Sequence, residues 1–327
     1  MRSTISGLVT VAAVLLIALA AEAQPSGRMY RLGTLNLGTP PTAATYDARR
    51  DLIEILRELG YVEGQNLQVE RRFALGRAER LPALAAELVL RNVDVIVASG
   101  SAAVQAARNA TKTIPIVILI AGSEELGLGL AANLARGRGN LTGVVLGALL
   151  AGKRLELLKQ AVPGATTIAM LFIRDPGGQA QVQEAKQAAA LLGVRLVLVE
   201  ADGRDYEKAF AAMRRERAEA LFVGASPILH ADRNRLIELA VRYRLPAMYQ
   251  FPEHVEEGGF MAYGMSGRWA VRRVAAYVDR VLKGADLAEL PIEQTPTLTL
   301  ALNLKTAKAL QLTIPQSMLL RADQVIE

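Results

Sequence analysis

The chain contains no cysteine and only two histidines, His230 and His254, among its 327 residues. Disulfide staples, thiolate nucleophiles, cysteine-based zinc sites and a lipid-anchor cysteine are therefore excluded, and a multi-histidine metal site is out of reach. Stability has to come from packed apolar cores, for which a 51% hydrophobic content is ample. Aromatic residues are scarce, at 5%, so each one beside a polar cluster carries weight. No GxxxxGK[ST] phosphate loop occurs. Gly224-x-Ser226 lacks the second glycine of a nucleophile elbow, and Gly137-x-Gly139 lacks the preceding strand and third glycine of a dinucleotide fingerprint. No cofactor is expected. Beyond residue 20 there is no apolar run near the roughly 20 residues that a membrane-spanning helix needs.

One apolar run does stand near the start. Leu8 to Ala20, 13 residues, follows Arg2 and precedes Ala21-Glu22-Ala23. A basic start, a short greasy middle and a small-x-small end are the grammar of a secretory signal. Residues 1–23 are accordingly expected to be a cleaved signal peptide. The remainder is expected to work in the periplasm as a freely diffusing monomer. The formal net charge of +6 is unchanged by losing Arg2 and Glu22, one charge of each sign. The pairs Arg49-Arg50, Arg71-Arg72, Arg214-Arg215 and Arg272-Arg273 sit beside acidic residues and read as solvated helix faces. Without interleaved aromatics they do not suggest a nucleic-acid partner.

The apolar pattern alternates between short β-branched runs and longer segments of helical period. In the first half, runs at 30–37, 67–73, 93–98 and 114–120 predict strands, with helices at 46–59, 80–91 and 102–109 between them. After Pro163 the same grammar restarts. Strands are predicted at 167–173, 194–200, 220–223 and 247–250, and helices at 179–192, 206–217 and 233–243. Strand–helix alternation implies parallel sheets with right-handed crossovers, so two such halves imply an α/β protein with two doubly wound parallel-sheet lobes. Chain crossings are expected at 136–143, near Tyr263-Gly264 before a helix at 268–282, and within the extended stretch 290–300. These give a first lobe of 28–143 plus 264–290 and a second of 144–263 plus 291–327.

In open parallel sheets, ligands settle at the carboxyl ends of the strands. The residues just after each predicted strand are small, polar and nearly neutral. The candidates for ligand binding are Asn36, Ser99, Gly100, Ser101, Ser123, Asp175, Ser226, Tyr249 and Glu253. Ser99-Gly100-Ser101 is the clearest, because it opens a helix whose positive end favours a carboxylate or phosphate; a plain N-cap would use the same residues. Glu253 beside Tyr249 and Phe251 could pair with a ligand ammonium, or simply start a surface helix. Asp175 and Ser226 also suit turn roles. Trp269 and Tyr277 read as core. His254 as a general base for a serine is the weakest candidate chemistry.

Several stretches carry a family likeness. They include Leu59-Gly60-Tyr61-Val62-Glu63-Gly64, residues 81–88, Val93-Asp94-Val95-Ile96-Val97-Ala98, Gly139-Asn140-Leu141-Thr142-Gly143, residues 303–310 with Leu312-Thr313-Ile314-Pro315, and Leu320-Arg321-Ala322-Asp323. The chain resembles the substrate-binding proteins of ABC importers with the type I periplasmic binding fold, and among them the tryptophan/tyrosine-type transport family. The resemblance implies two lobes that hinge over one small-molecule solute and dock on an inner-membrane ABC permease with its ATPase, with no covalent chemistry. It also implies ligand contacts from residues 36–42 and 99–101. Two departures fall in the expected cleft: Glu124-Glu125 and Ser226-Pro227 stand where relatives often carry Asp-Pro. An amino-acid ligand is therefore not simply carried over, and another small carboxylate is equally open. Two rivals stay open as well: a receptor that presents its ligand to a sensor kinase or chemoreceptor, and a secreted hydrolase.

Overall fold

The computed structural model describes residues 28–40, 48–122, 139–146, 150–201, 205–294 and 297–327; the signal segment, Ser123 and Glu124-Glu125 lie outside the described residues. In chain order the strands are β1 (Tyr30–Asn36), β2 (Leu67–Phe73), β3 (Val95–Ser99), β4 (Ile116–Gly122), β5 (Leu141–Leu146), β6 (Thr167–Phe172) and β7 (Arg195–Glu200). They continue as β8 (Ala220–Val223), β9 (Ala247–Tyr249), β10 (Met261–Gly264), β11 (Ile292–Gln294), β12 (Thr299–Asn303) and β13 (Gln324–Ile326). They form two sheets, ordered β11-β5-β4-β3-β1-β2 and β13-β12-β10-β9-β8-β6-β7. The first is parallel throughout. β3 and β6 are buried at every position, as near-continuous apolar strands must be when helices cover both faces of a sheet.

The helices that cover them are α1 (Ala48–Glu58), α2 (Leu81–Leu90), α3 (Ser101–Ala110), α4 (Ala151–Ala161), α5 (Pro176–Leu192), α6 (Tyr206–Arg215), α7 (Pro227–Ala231), α8 (Arg233–Arg242), α9 (Glu253–Glu256) and α10 (Gly267–Leu282). On the first sheet, α1 and α10 share one apolar cluster through Leu52, Leu56, Val274 and Val278, while α2 and α3 bury Leu84, Leu88, Val104 and Ala107 in another. On the second, α4 and α5 pack through Leu155, Leu158, Val182 and Ala185. On its other side α6 and α8 contribute Phe210, Met213, Leu236 and Leu239.

The chain changes sheets three times: after β5, after β10 and after β11. Two crossings fall later than the sequence suggests. The Gly-rich stretch near 139 leads directly into β5, which keeps residues 144–146 in the first sheet. The extended stretch after Leu290 first forms β11 on that sheet's edge, paired with β5, before it crosses. The Thr142 hydroxyl reaches the carbonyls of Leu290 (3.2 Å) and Pro291 (3.1 Å), which fastens this return. The second sheet also contains one antiparallel pair, β10 with β12. Its cause is topological: β11 ends at the carboxyl side of the first sheet, so β12 enters the second sheet from the crossing side and runs away from it.

Candidate functional site

The carboxyl ends of the strands of both sheets enclose a cavity of about 150 Å³, a volume comparable with one that takes up a benzene ring. From the first lobe come Asn36 to Thr39 after β1, Ser99 to Ala102 at the β3–α3 turn, and Leu119 to Gly122 at the end of β4. From the second come Asp175 and Gly177 at the start of α5, Ala225 to Pro227 after β8, and Gln250 with Phe251 after β9. Arg154 of α4, Gln181 of α5 and His230 of α7 complete the polar wall. Leu146, Leu150, Phe251 and Val271 make much of the apolar one.

The β3–α3 turn is built to come close to something. Gly100 has φ 82° and ψ 161°, a conformation essentially reserved for glycine. A Cβ placed there would meet Pro227 Cγ of the other lobe at 3.2 Å. Gly100 N–H donates to the carbonyls of Leu119 (3.3 Å) and Ile120 (3.2 Å), and Ser101 Oγ accepts from Gly122 N–H at 3.1 Å. These ties hold a bulge where the β4–β5 register shifts between Leu119 and Ala121. Ile120 sits in that bulge with φ 55°, a strained setting for a β-branched residue. The N-cap of α3 is Gly100, and no side chain caps the first-turn N–H groups. Neither Ser99 nor Ser101 is the cap.

Elsewhere on the wall, side chains are committed to backbone. Asn36 Oδ1 accepts Gly38 N–H at 2.6 Å. Asp175 Oδ1 accepts Gly178 N–H at 2.7 Å as the N-cap of α5, and burial raises its carboxyl above the ordinary value. Ser226 Oγ accepts Ile228 N–H at 3.2 Å. Gln181 Oε1 accepts Ala225 N–H (2.7 Å) while its Nε2 donates to Ala225 carbonyl (2.8 Å), clamping the turn after β8.

Arg154 is different. It is 2% exposed. Its Nε donates to the Tyr263 carbonyl at 2.7 Å, but its Nη2 has no partner. Burial pushes the guanidinium down to about 10, with the charge of Glu184 acting in the opposite direction. Glu184 does not reach it: its two carboxylate oxygens accept the N–H groups of Ala151 (3.1 Å) and Gly152 (2.9 Å) at the start of α4. The two histidines lie on the same lobe. His230 Nδ1 and His254 Nε2 are 2.8 Å apart, and His254 Nδ1 is buried without a partner. Burial pushes His230 down to about 3; burial, and then the charges of His230, Arg233 and Arg154, hold His254 well below its ordinary value. His254 thus bonds an imidazole and not a serine. Among the described residues no three His, Asp or Glu side chains gather as a metal site.

The structure therefore brings Asn36, Ser99, Gly100, Ser101, Asp175 and Ser226 to one cavity. It seats Tyr249 and Glu253 elsewhere. Tyr249 ends β9 facing the core, against Gly259, with its hydroxyl pushed far up by burial. Glu253 Oε1 turns to the start of α10, accepting from Ser266 Oγ (2.7 Å) and Arg268 N–H (3.2 Å). The neighbours between them, Gln250 and Phe251, reach the cavity instead. Sequence reasoning missed Arg154, Gln181 and His230. For Arg154 a signal existed: it interrupts the apolar stripe of Ala151, Leu155 and Leu158.

The sequence profile of the family described as ABC transporter substrate binding protein matches residues 42–326. The chain belongs to that family. It is the solute-binding component of an ABC transport system, with a small-molecule ligand and a membrane permease as its partners. A tyrosine-binding protein of Clostridioides difficile (strain R20291) is 24% identical over 275 residues, which are 81% of this chain and 76% of that protein. A conserved domain protein of Vibrio cholerae O1 biovar El Tor has a crystal structure that superposes with a TM-score of 0.73 at 25% identity, covering 91% of this chain and 100% of the other. An ABC domain in complex with L-Trp, from Streptococcus pneumoniae, gives the same TM-score at 24% identity, covering 91% and 99%. Members of this family typically work outside the cytoplasm, and no helix among the described residues is long and apolar enough to cross a membrane.

Proposed function

We propose that this chain is an exported, monomeric receptor of the periplasm that grips a small carboxylate between its lobes and hands it unaltered to an ATP-driven importer. The observation that carries the reading is Arg154, a cavity-lining residue whose buried guanidinium is held by protein at Nε and has no partner at Nη2. A buried charge left unpaired is costly, and a carboxylate supplies both the opposite charge and the missing acceptor. The uncapped first turn of α3, with Ser99 and Ser101, offers further donors from the opposite lobe. Gly100 against Pro227 sets how closely the lobes can approach. Asn36, Asp175 and Ser226 shape the turns that line the cavity. The apolar wall fits the body of the solute, and the relatives that bind tyrosine and tryptophan agree in combining a carboxylate with an apolar body. His230 and His254 bond each other at 2.8 Å, which supports binding without turnover.

Isothermal titration of the purified protein with 3-phenylpropionate and with its neutral amide tests the reading. The acid is expected to bind and the amide to bind at least ten-fold more weakly, a difference of roughly 1.4 kcal/mol. Equal affinities would remove Arg154 from the explanation.

A further inference from the structure

β4 breaks its own alternation where it reaches the cavity. Along a strand, successive side chains point to opposite faces of the sheet. Ile116 and Ile118 accordingly join the cluster shared with α2 and α3, and Val117 and Leu119 the cluster shared with α1 and α10. By that period Ile120 belongs with Ile118. It packs instead beside Leu119 against the α10 cluster, and Ala121 takes the place on the α2–α3 side. The cause is the bulge, in which Leu119 pairs with Val144 and Ala121 already pairs with Val145. A bulge of one residue re-aims a side chain in this way.

Holding Ile120 there takes restraint, because φ 55° is a region that a β-branched residue avoids. The β3–α3 turn supplies the restraint: Gly100 N–H donates to the carbonyls of Leu119 and Ile120, and Ser101 Oγ accepts from Gly122 N–H on the far side of the bulge. Strain of this kind persists where the surroundings over-determine it, and it clusters at ligand sites. The result is a half-buried isoleucine on the cavity wall, grouped with Leu119, Leu146, Phe251 and Val271 at the apolar end of the site.

We infer that Ile120 is the specificity-determining residue of the cavity: the bulge turns its side chain onto the apolar end, where it limits the size of the solute's apolar body. Ser101 is the positioning residue that holds the bulge. The inference rests on the reading of this cavity as the solute site and adds a size limit to it. A cavity of about 150 Å³ suits one aromatic ring, and a second fused ring then meets Ile120.

Isothermal titration of the parent, Ile120→Ala and Ser101→Ala with 3-phenylpropionate and 3-(2-naphthyl)propionate, and with the amides of both, tests it. The parent is expected to bind the phenyl acid roughly ten-fold or more tightly than the naphthyl acid. Ile120→Ala is expected to erase most of that ratio, and Ser101→Ala to narrow it in the same direction. A Ser101→Ala variant that weakens both acids equally would make Ser101 a ligand contact and not a positioning residue. An unchanged ratio in Ile120→Ala overturns the inference, and it leaves the carboxylate reading standing when the acids outbind their amides. Amides that bind like the acids, with the same loss of ratio, overturn the carboxylate reading and leave the inference standing. Failure of all four probes on the parent overturns both. Melting temperatures give an arm that needs no ligand. Glycine adopts φ 55° freely and alanine does not. Ile120→Gly is therefore expected to melt above Ile120→Ala, the reverse of their order inside an ordinary strand. The ordinary order would mean that residue 120 is not held in that region, and the re-aiming of its side chain falls with it.

Discussion

At the residue scale, the site turns on one guanidinium. Arg154 lies in the apolar stripe of a helix, with one end held by the Tyr263 carbonyl and the other unmatched. Arg154→Met removes an uncompensated buried cation, an effect of several kcal/mol, and orphans one carbonyl, an effect of about 1–3 kcal/mol. The variant is expected to melt at or above the parent temperature and yet to lose carboxylate binding; a variant that keeps its affinity would show that Arg154 is structural only. The histidine pair gives a second residue-level expectation. Both imidazoles are held neutral in the folded chain. Below about pH 6.5 the unfolded chain takes up protons that the native state refuses, so stability falls with pH at roughly 1.4 kcal/mol per unit per histidine. Asp175 has the opposite sign, because the native state holds its proton more tightly. Urea midpoints at pH 7.5 and 5.5 should therefore be compared for the parent and His254→Gln, the slope being shallower in the variant; identical slopes would place the proton uptake elsewhere. The sequence made Asn36, Ser99 to Ser101, Asp175 and Ser226 visible because position after a strand is a topological property. Tyr249 faces the core because of side-chain direction, which the strand period of two sets locally, and Glu253, which begins α9, is turned aside by the Ser266 hydroxyl and Arg268 N–H at the start of α10. Arg154 was hidden by the habit of reading arginines on helices as solvated.

At the element scale, the β3–α3 turn concentrates most of the constraint. Gly100 combines a glycine-only backbone conformation with a position where an added Cβ would meet Pro227 across the cleft. Gly100→Ala is expected to cost about 1–3 kcal/mol of stability and, beyond that, to weaken ligand binding, because the lobes can no longer meet at the same distance. Denaturant titration and calorimetry on the same sample separate the two effects, and an alanine variant with parental affinity would show that the lobes do not approach there on binding. The strands β1, β3, β4 and β6 were legible because burial on both faces writes a near-continuous apolar run, whereas β2 and β7, at the sheet edges, are only partly buried. β10, β11 and β13, of 3–4 residues each, fall in stretches that read as crossings or as the chain's tail and carry no strand signal of their own. β5 was read as a crossing because of the glycines before it.

At the scale of the whole molecule, two lobes joined by three crossings meet around the cavity. A ligand that bridges them adds its binding energy to the contact between lobes, which favours the closed arrangement. Small-angle scattering is expected to show a smaller radius of gyration on saturation with the ligand. Thermal unfolding should also shift, with about 2.7 kcal/mol added at 100 times the dissociation constant. A scattering profile that does not change would mean that the lobes are held together without ligand. The two-lobed plan was readable from the repeat of the strand–helix grammar, whereas the antiparallel β12 was not, because its direction follows from a crossing that no local pattern records.

The late strands have a consequence for biogenesis. β11 is the edge of the first sheet, and β12 with β13 close the second, at residues 292–294, 299–303 and 324–326. The first sheet is therefore without its edge until residue 294 has been made, and the second without its edge until residue 326, so both sheets are completed by residues 292–326.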